Sequence, residues 1–151
     1  MADKLQFELV SPEKLLLSEP VGMVVVPGTE GNFGVLPGHA LFISTVRPGV
    51  IDCYANNQVS ERIFVSGGFA EVTPERCTVL ADEAMPLSSL DSGKIEESFK
   101  AAVAEIASLE DRLGKLQGNE RDLVEIELKA AENRRFVAEA KRTALESTTT
   151  H

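Results

Sequence analysis

The sequence predicts an α+β chain: an N-terminal all-β sandwich of many short strands followed by a C-terminal antiparallel two-helix hairpin. Three observations carry that expectation. Between residues 5 and 85, short apolar runs alternate with turn residues and leave no helical window. At "MPLSSLDSGKIEE" Gly and β-branched residues thin out, and Ala, Glu, Lys and Leu take over. Beyond that point two apolar stripes of helical spacing are separated only by Gly118-Asn119. The expected division is a β-sandwich over 1–86 and a helical hairpin with a flexible C-terminal tail over 87–151.

The first strand is expected in "LQFELV", where alternation puts Leu5, Phe7 and Leu9 on one face. "MVVV", "LFISTV", "VIDCYA", "RIFV" and "CTVLA" follow as further strands. Turn signals bound them at Ser11-Pro12, Pro27-Gly28, Pro48-Gly49, Asn56-Asn57 and Thr73-Pro74. Proline this close to strand ends also limits edge pairing. Gly67-Gly68 inside the strand-like "SGGFAEV" marks a bulge or a close backbone approach. "GNFGVLPGHA", with three glycines, a proline and a histidine, reads as a shaped loop.

Ser88 with Asp91 three positions later resembles a capping box, so a helix is expected to start near Ser89. Its stripe is Ile95, Phe99, Ala102, Ile106, Leu109, Leu113 and Leu116, at steps of four and three. Gly118 is expected to end this helix in the left-handed conformation, and Asn119 to cap the next. So short a connection requires the helices to fold back antiparallel. The second helix offers Leu123, Ile126, Ala130, Val137, Ala140 and Ala144 as its facing stripe. An alanine-rich seam buries little area, so the arm is expected to open or reorient readily.

A net charge of −9 and a pI near 4.7 argue against a nucleic-acid binder, which needs clustered Lys and Arg. The start lacks the basic-then-apolar layout of a signal peptide, and "MVVV" is far too short to span a bilayer. An intracellular chain with no direct membrane insertion is the expectation. Cys53 and Cys77 are too few and too separated for a disulfide framework or a CxxC knuckle, so both read as buried apolar residues and no metal site is expected.

Catalysis finds little support. His39 is the only histidine besides terminal His151, and no G-x-S-x-G or second ligand accompanies it. "GTEGNFG" is spaced G-x-x-G-x-x-G and opens onto no helix, while "SGK" at 92–94 lacks the upstream glycine of a phosphate loop. No cofactor is implied. Bases gather towards the end of the second helix at Lys129, Arg134, Arg135, Lys141 and Arg142. They suit the helix dipole, or else a basic face that meets an acidic partner.

Taken together, "EGNFGVLPGHA", "RPGV", "VSGGFAEV", "CTVLADEA" and the helical hairpin resemble the epsilon-subunit family of bacterial F-type ATP synthases, counterpart of the mitochondrial delta subunit. The resemblance implies a non-catalytic rotor subunit that couples the catalytic head to the proton-driven ring and can restrain ATP hydrolysis through its C-terminal helices. It implies a docking role for the sandwich, with Glu30, Gly31 and Asn32 at the c-ring and His39 near the gamma subunit. Gly34, Pro37 and Gly38 would shape the docking loop. The alpha and beta catalytic subunits would be reached by the helices, through Arg134, Arg135, Lys141 and Arg142. A peripheral position on the cytoplasmic face of the bacterial inner membrane follows from the same resemblance.

Some members of the family carry an ATP-sensing motif at the start of the first helix. Here that stretch reads "LDSGKI", which keeps Leu90 and Asp91 but places Lys94 where arginine is usual. A lysine is a point charge and not a planar fork, so the motif is degenerate. Two other classes therefore stand beside the rotor reading. One is an ATP-sensing module around Leu90, Asp91 and Lys94, and the other is a stand-alone β-sandwich adapter with a coiled-coil arm.

Overall fold

The structure, a computed structural model, describes residues 4–149. The expected tail and His151 lie outside the described residues. The chain divides into two compact units, Met1–Ser89 and Leu90–His151.

The described residues of the first unit form ten strands: β1 (Leu5–Val10), β2 (Leu15–Val21), β3 (Met23–Gly28), β4 (Gly31–Val35), β5 (Phe42–Val46), β6 (Gly49–Ala55), β7 (Gln58–Val65), β8 (Gly68–Val72), β9 (Arg76–Ala81) and β10 (Ala84–Pro86). They form one curled sheet in the order β10-β7-β6-β3-β5-β8-β9-β1-β2, with β4 hydrogen-bonded to β3 off that path. All pairs are antiparallel except β1 with β9. The curl folds the sheet onto itself as a sandwich. Leu5, Phe7, Leu9, Val24, Val26, Ile51, Cys53, Val65, Ala70, Val72, Cys77 and Val79 fill it. Their alternation along each strand is what encloses a core on one face only.

Several sequence expectations hold with their physical reason visible. Asn56 and Asn57 both take positive φ, 55° and 63°, which makes the β6–β7 connection a two-residue turn whose twist matches its strands. Proline stands in both edge strands, as Pro20 in β2 and Pro86 in β10. Gly68 is a close approach: a Cβ there would lie 1.8 Å from the Leu80 carbonyl oxygen, so only glycine lets β8 meet β9.

Others are corrected. Pro27-Gly28 is the buried end of β3 and not a turn; the turn is Thr29-Glu30. The segment read wholly as a loop begins as β4, whose Gly31–Val35 pair with Val24–Gly28. β2 and β10 were not expected at all.

The second unit is a helical hairpin. Its first helix, α1 (Ser92–Leu113), is capped by Asp91, whose Oδ1 accepts from the Gly93 and Lys94 amides at 2.8 and 3.2 Å. Ser88 and Ser89 instead belong to a 3-10 turn, Leu87–Ser89, in the first unit, where Ser89 Oγ donates to the Pro86 carbonyl. Helix α1 ends at Leu113, before Gly118. Gly118 does take positive φ, 67°, but at the start of α2 (Gly118–Thr149). The α1 stripe is as expected from Ile95 to Leu113, with Ile95, Ala102, Ile106 and Leu109 buried, while Leu116 lies beyond the end of the helix.

The α2 stripe is out of phase by one residue, except that Ala144 is buried as expected. Val124, Ala131, Ala138 and Ala144 are buried, whereas Leu123, Ile126 and Ala130 are exposed and Val137 and Ala140 half-buried. A one-residue change turns a helix by about 100°. The rotation observed lets Arg142 reach α1: it forks onto Glu96 at 2.8 and 3.2 Å and lies over the Phe99 ring at 4.2 Å.

Candidate functional site

The tip of the β3–β4 hairpin is built from the turn Thr29-Glu30 and the flanking Gly28, Gly31 and Asn32. Two-residue turns fix strand register tightly. Neighbours outside the hairpin hold this tip further. Arg47, just past β5, donates from one guanidinium nitrogen to the Gly28 carbonyl and from the other to Asn32 Oδ1 at 2.7 Å. The Thr29 amide donates to the Thr45 carbonyl at 3.2 Å, and the two threonine hydroxyls share a hydrogen bond of 2.7 Å. Glu30, Gly31 and Asn32 are exposed, so the tip is pinned from beneath and open above.

After β4 the chain runs through Leu36–Leu41 and back into β5. The Gly38 amide donates to the Pro74 carbonyl at 2.7 Å, which ties this loop to the β8–β9 turn. Gly38 has φ 84°, a conformation that a side chain disfavours. Gly34 does not share it: its φ is ordinary, and an added Cβ would meet only Met23 Sδ at 3.8 Å. The shape argument therefore holds for Gly38 and fails for Gly34. Pro37 is half-buried beside Gly38. His39 is half-buried, with Nδ1 2.8 Å from the Ala40 carbonyl oxygen and its ring edge-on to Phe42.

Beside the loop lies an apolar outer face that sequence reading missed. The ladder registers align Thr45, Phe69, Leu80, Val10 and Leu15 in one row across β5, β8, β9, β1 and β2. Phe69, Leu80 and Leu15 are exposed, Ile43 on the next row is 75% exposed, and Leu41 at the loop end is 77% exposed. The signal was present in "GFAEV" and "CTVLA", where Phe69 shares a face with Glu71 and Leu80 with Thr78. An apolar residue on a strand's polar face marks a surface to be covered.

The remaining residues singled out in the sequence lie in the second unit. Leu90 is half-buried, Asp91 is the α1 cap, and Lys94 is exposed. Arg134 Nη2 is 2.7 Å from Glu105 Oε2 across the hairpin, and Arg135 pairs with Glu139 at 3.7 Å within α2. Arg142 is forked onto Glu96, and Lys141 is half-buried. Arg134 and Arg142 are thus engaged with α1. Among the described residues, no helix is long and apolar enough to cross a membrane.

The chain thus consists of a curled β-sandwich with a pinned hairpin tip and an apolar outer face, followed by a helical hairpin. Residues 4–87 match the family described as ATP synthase, Delta/Epsilon chain, beta-sandwich domain. The chain is 54% identical to an ATP synthase epsilon chain of Rhodospirillum centenum over 144 residues, 93% of this chain and 91% of that one. It is 62% identical to an ATP synthase epsilon chain of Rhodospirillum rubrum over 102 residues, 68% of this chain and 76% of that one. A chain in a structure of Euglena gracilis mitochondrial ATP synthase, OSCP/F1/c-ring, shares the fold, with TM-score 0.74 at 22% identity over 96% of this chain and 83% of that one. The chain belongs to the delta/epsilon chain family of ATP synthase.

Proposed function

We propose that the chain is a non-catalytic rotor subunit whose pinned β3–β4 tip docks on the c-ring and whose His39 loop and apolar outer face dock on the gamma subunit. The observation that carries this reading is the Arg47 clamp. A two-residue turn held by a guanidinium and two threonines has little conformational freedom left to lose on docking, so more of the contact energy appears as affinity. Glu30, Gly31 and Asn32 then present one carboxylate, one amide side chain and exposed backbone to a polar loop. Leu41, Ile43, Phe69 and Leu80 supply apolar area of the kind found at the buried centre of an interface. The subunit is held peripherally on the cytoplasmic face of the membrane through these partners.

The hairpin restrains hydrolysis, in this reading, by changing position so that its basic residues reach acidic surface on the alpha and beta subunits. The ion pairs of Arg134 with Glu105 and of Arg142 with Glu96 oppose that change. The extended state must therefore replace them with contacts of at least equal worth. Against the ATP-sensing alternative stands the use of the Asp91 carboxylate as a helix cap.

The test is reconstitution of the full chain with gamma alone and with gamma plus c-ring. Ile43→Asp and Phe69→Asp are expected to weaken gamma binding, and Glu30→Lys to leave gamma binding intact but lower c-ring retention. Unchanged binding of gamma by both face variants would overturn the assignment of that face.

A further inference from the structure

One cluster in the sandwich belongs to neither docking surface. Glu19 of β2, Cys53 of β6 and Glu61 of β7 bring one carboxylate oxygen, one sulfur and one carboxylate oxygen within 4.8 Å of one another. The ladder explains the convergence. Glu61 is the cross-strand partner of Cys53, and Glu19 is the partner of core residue Phe7, so all three side chains point into the sandwich. The Cys53 thiol is fully buried and makes no hydrogen bond among the described residues. Both glutamates are half-buried and border the solvent.

Two carboxylates aimed inwards at a buried thiol are an unusual use of a sandwich interior, and without compensation they repel. Burial pushes Glu19 above its ordinary range, and a hydrogen bond with Glu61 and that residue's charge push it further. Burial, then the charges of Glu61 and Glu19, push the Cys53 thiol up to about 12. An inward acid on edge strand β2 discourages edge-to-edge pairing. That role requires neither Glu61 nor the thiol.

We propose that Glu19, Cys53 and Glu61 form a binding site for a borderline-soft divalent cation of the zinc class. A thiolate with two carboxylates excludes magnesium and calcium, which take oxygen ligands alone. Zinc prefers four ligands, with sulfur at about 2.3 Å and oxygen at about 2.0–2.2 Å, so side-chain rotation must draw the three atoms together and a water completes the set. The balance is simple. The cation replaces the thiol proton, which leaves to solvent, and the loaded site, one thiolate and two carboxylates around one divalent cation, carries a net charge of −1. Entry is past the glutamates, since the thiol is closed to solvent. Such a cation would cross-link edge strand β2 to the β6–β7 ladder.

The test uses the full chain, stripped with a chelator and titrated with cobalt(II), then zinc(II). One equivalent of cobalt is expected to raise a thiolate-to-cobalt charge-transfer band in the near ultraviolet, and zinc to abolish it. The melting temperature should rise with zinc concentration. Glu61→Gln keeps the shape of the site and should weaken binding about tenfold or more. Cys53→Ala should remove the band, and Cys77→Ala, which alters the other buried thiol, should leave it unchanged. The proposal is overturned by the absence of a band in the wild-type chain, by a band that survives Cys53→Ala, or by equal affinity in Glu61→Gln.

Discussion

Replacing Arg47 with alanine should loosen the hairpin tip and, through it, c-ring attachment. Two hydrogen bonds are lost, one to the buried Gly28 carbonyl and one of 2.7 Å to exposed Asn32. A bond from a charged donor is worth about 1.5–3 kcal/mol where water is excluded, and the Asn32 bond, screened by solvent, well under about 1 kcal/mol. The expected loss is about 2 kcal/mol, most of it at Gly28. For a unit of this size that lowers the melting temperature by roughly 10 °C. Arg47→Lys retains the charge but not the fork, so it should reach one acceptor and fall between the two. Asn32→Ala removes only the screened bond and should cost about 0.5 kcal/mol. Urea unfolding of the full chain measures the first effect, and retention on gamma–c-ring complexes at conditions where every variant is folded measures the second. If the tip is held by this clamp, retention should fall in the order wild type, Asn32→Ala, Arg47→Lys, Arg47→Ala. An Arg47→Ala chain with unchanged unfolding midpoint and unchanged retention would refute the reasoning.

The loop makes a sharper contrast than glycine content alone suggests: Gly38→Val should impair gamma binding because φ is 84° there, whereas Gly34→Val, on ordinary backbone, should assemble like wild type. Binding lost equally in both would contradict it. Glu19 is raised above its ordinary value of 4.5 in the folded chain, so the folded state binds more protons than the unfolded one between that value and its raised one. Stability should therefore fall as pH rises through this window; Asp52, also raised by burial, adds a slope of the same sign. With chelator present, Glu19→Gln should flatten the slope and stabilise the chain at pH 7, and chemical denaturation from pH 4.5 to 8 reads both. Arg142→Ala removes the fork onto Glu96 and the stacking on Phe99, about 1–2 kcal/mol together at this partly exposed site, and should speed amide exchange in α2 without changing the melting of the β unit. Replacing Arg134, Arg135, Lys141 and Arg142 together by alanine should raise ATP hydrolysis by the assembled enzyme at low salt, with the difference shrinking as salt is added. No change in that rate would make the arm a packing element and not a brake.

The sequence by itself determined the features whose cause is local. The alternation of Leu5, Phe7 and Leu9 could bury only one face of a strand, Asn56-Asn57 could make only a tight turn with positive φ, and the α1 stripe from Ile95 to Leu109 could pack on one side only. The order of sandwich and hairpin followed from these. The motif "EGNFGVLPGHA" also singled out the segment proposed to dock, but not what holds it. Arg47 lies 15 residues from Asn32, and no periodicity connects them.

Tertiary structure decided what depends on pairing between distant segments. β4, made of Gly31–Val35, has weak strand propensity and is a strand because β3 offers it a complete ladder. In α2, two stripes one residue apart are both apolar at helical spacing. The choice between them was settled by what α1 presents, namely Glu96 and Phe99 opposite Arg142 and Glu105 opposite Arg134. Nothing along the sequence connects Glu19, Cys53 and Glu61, which meet only when β2, β6 and β7 bring them together. Backbone conformation and hydrophobic period are properties of a residue and its neighbours along the chain. Register, helix rotation and the convergence of polar side chains are properties of pairs, and a pair exists only once the chain has folded.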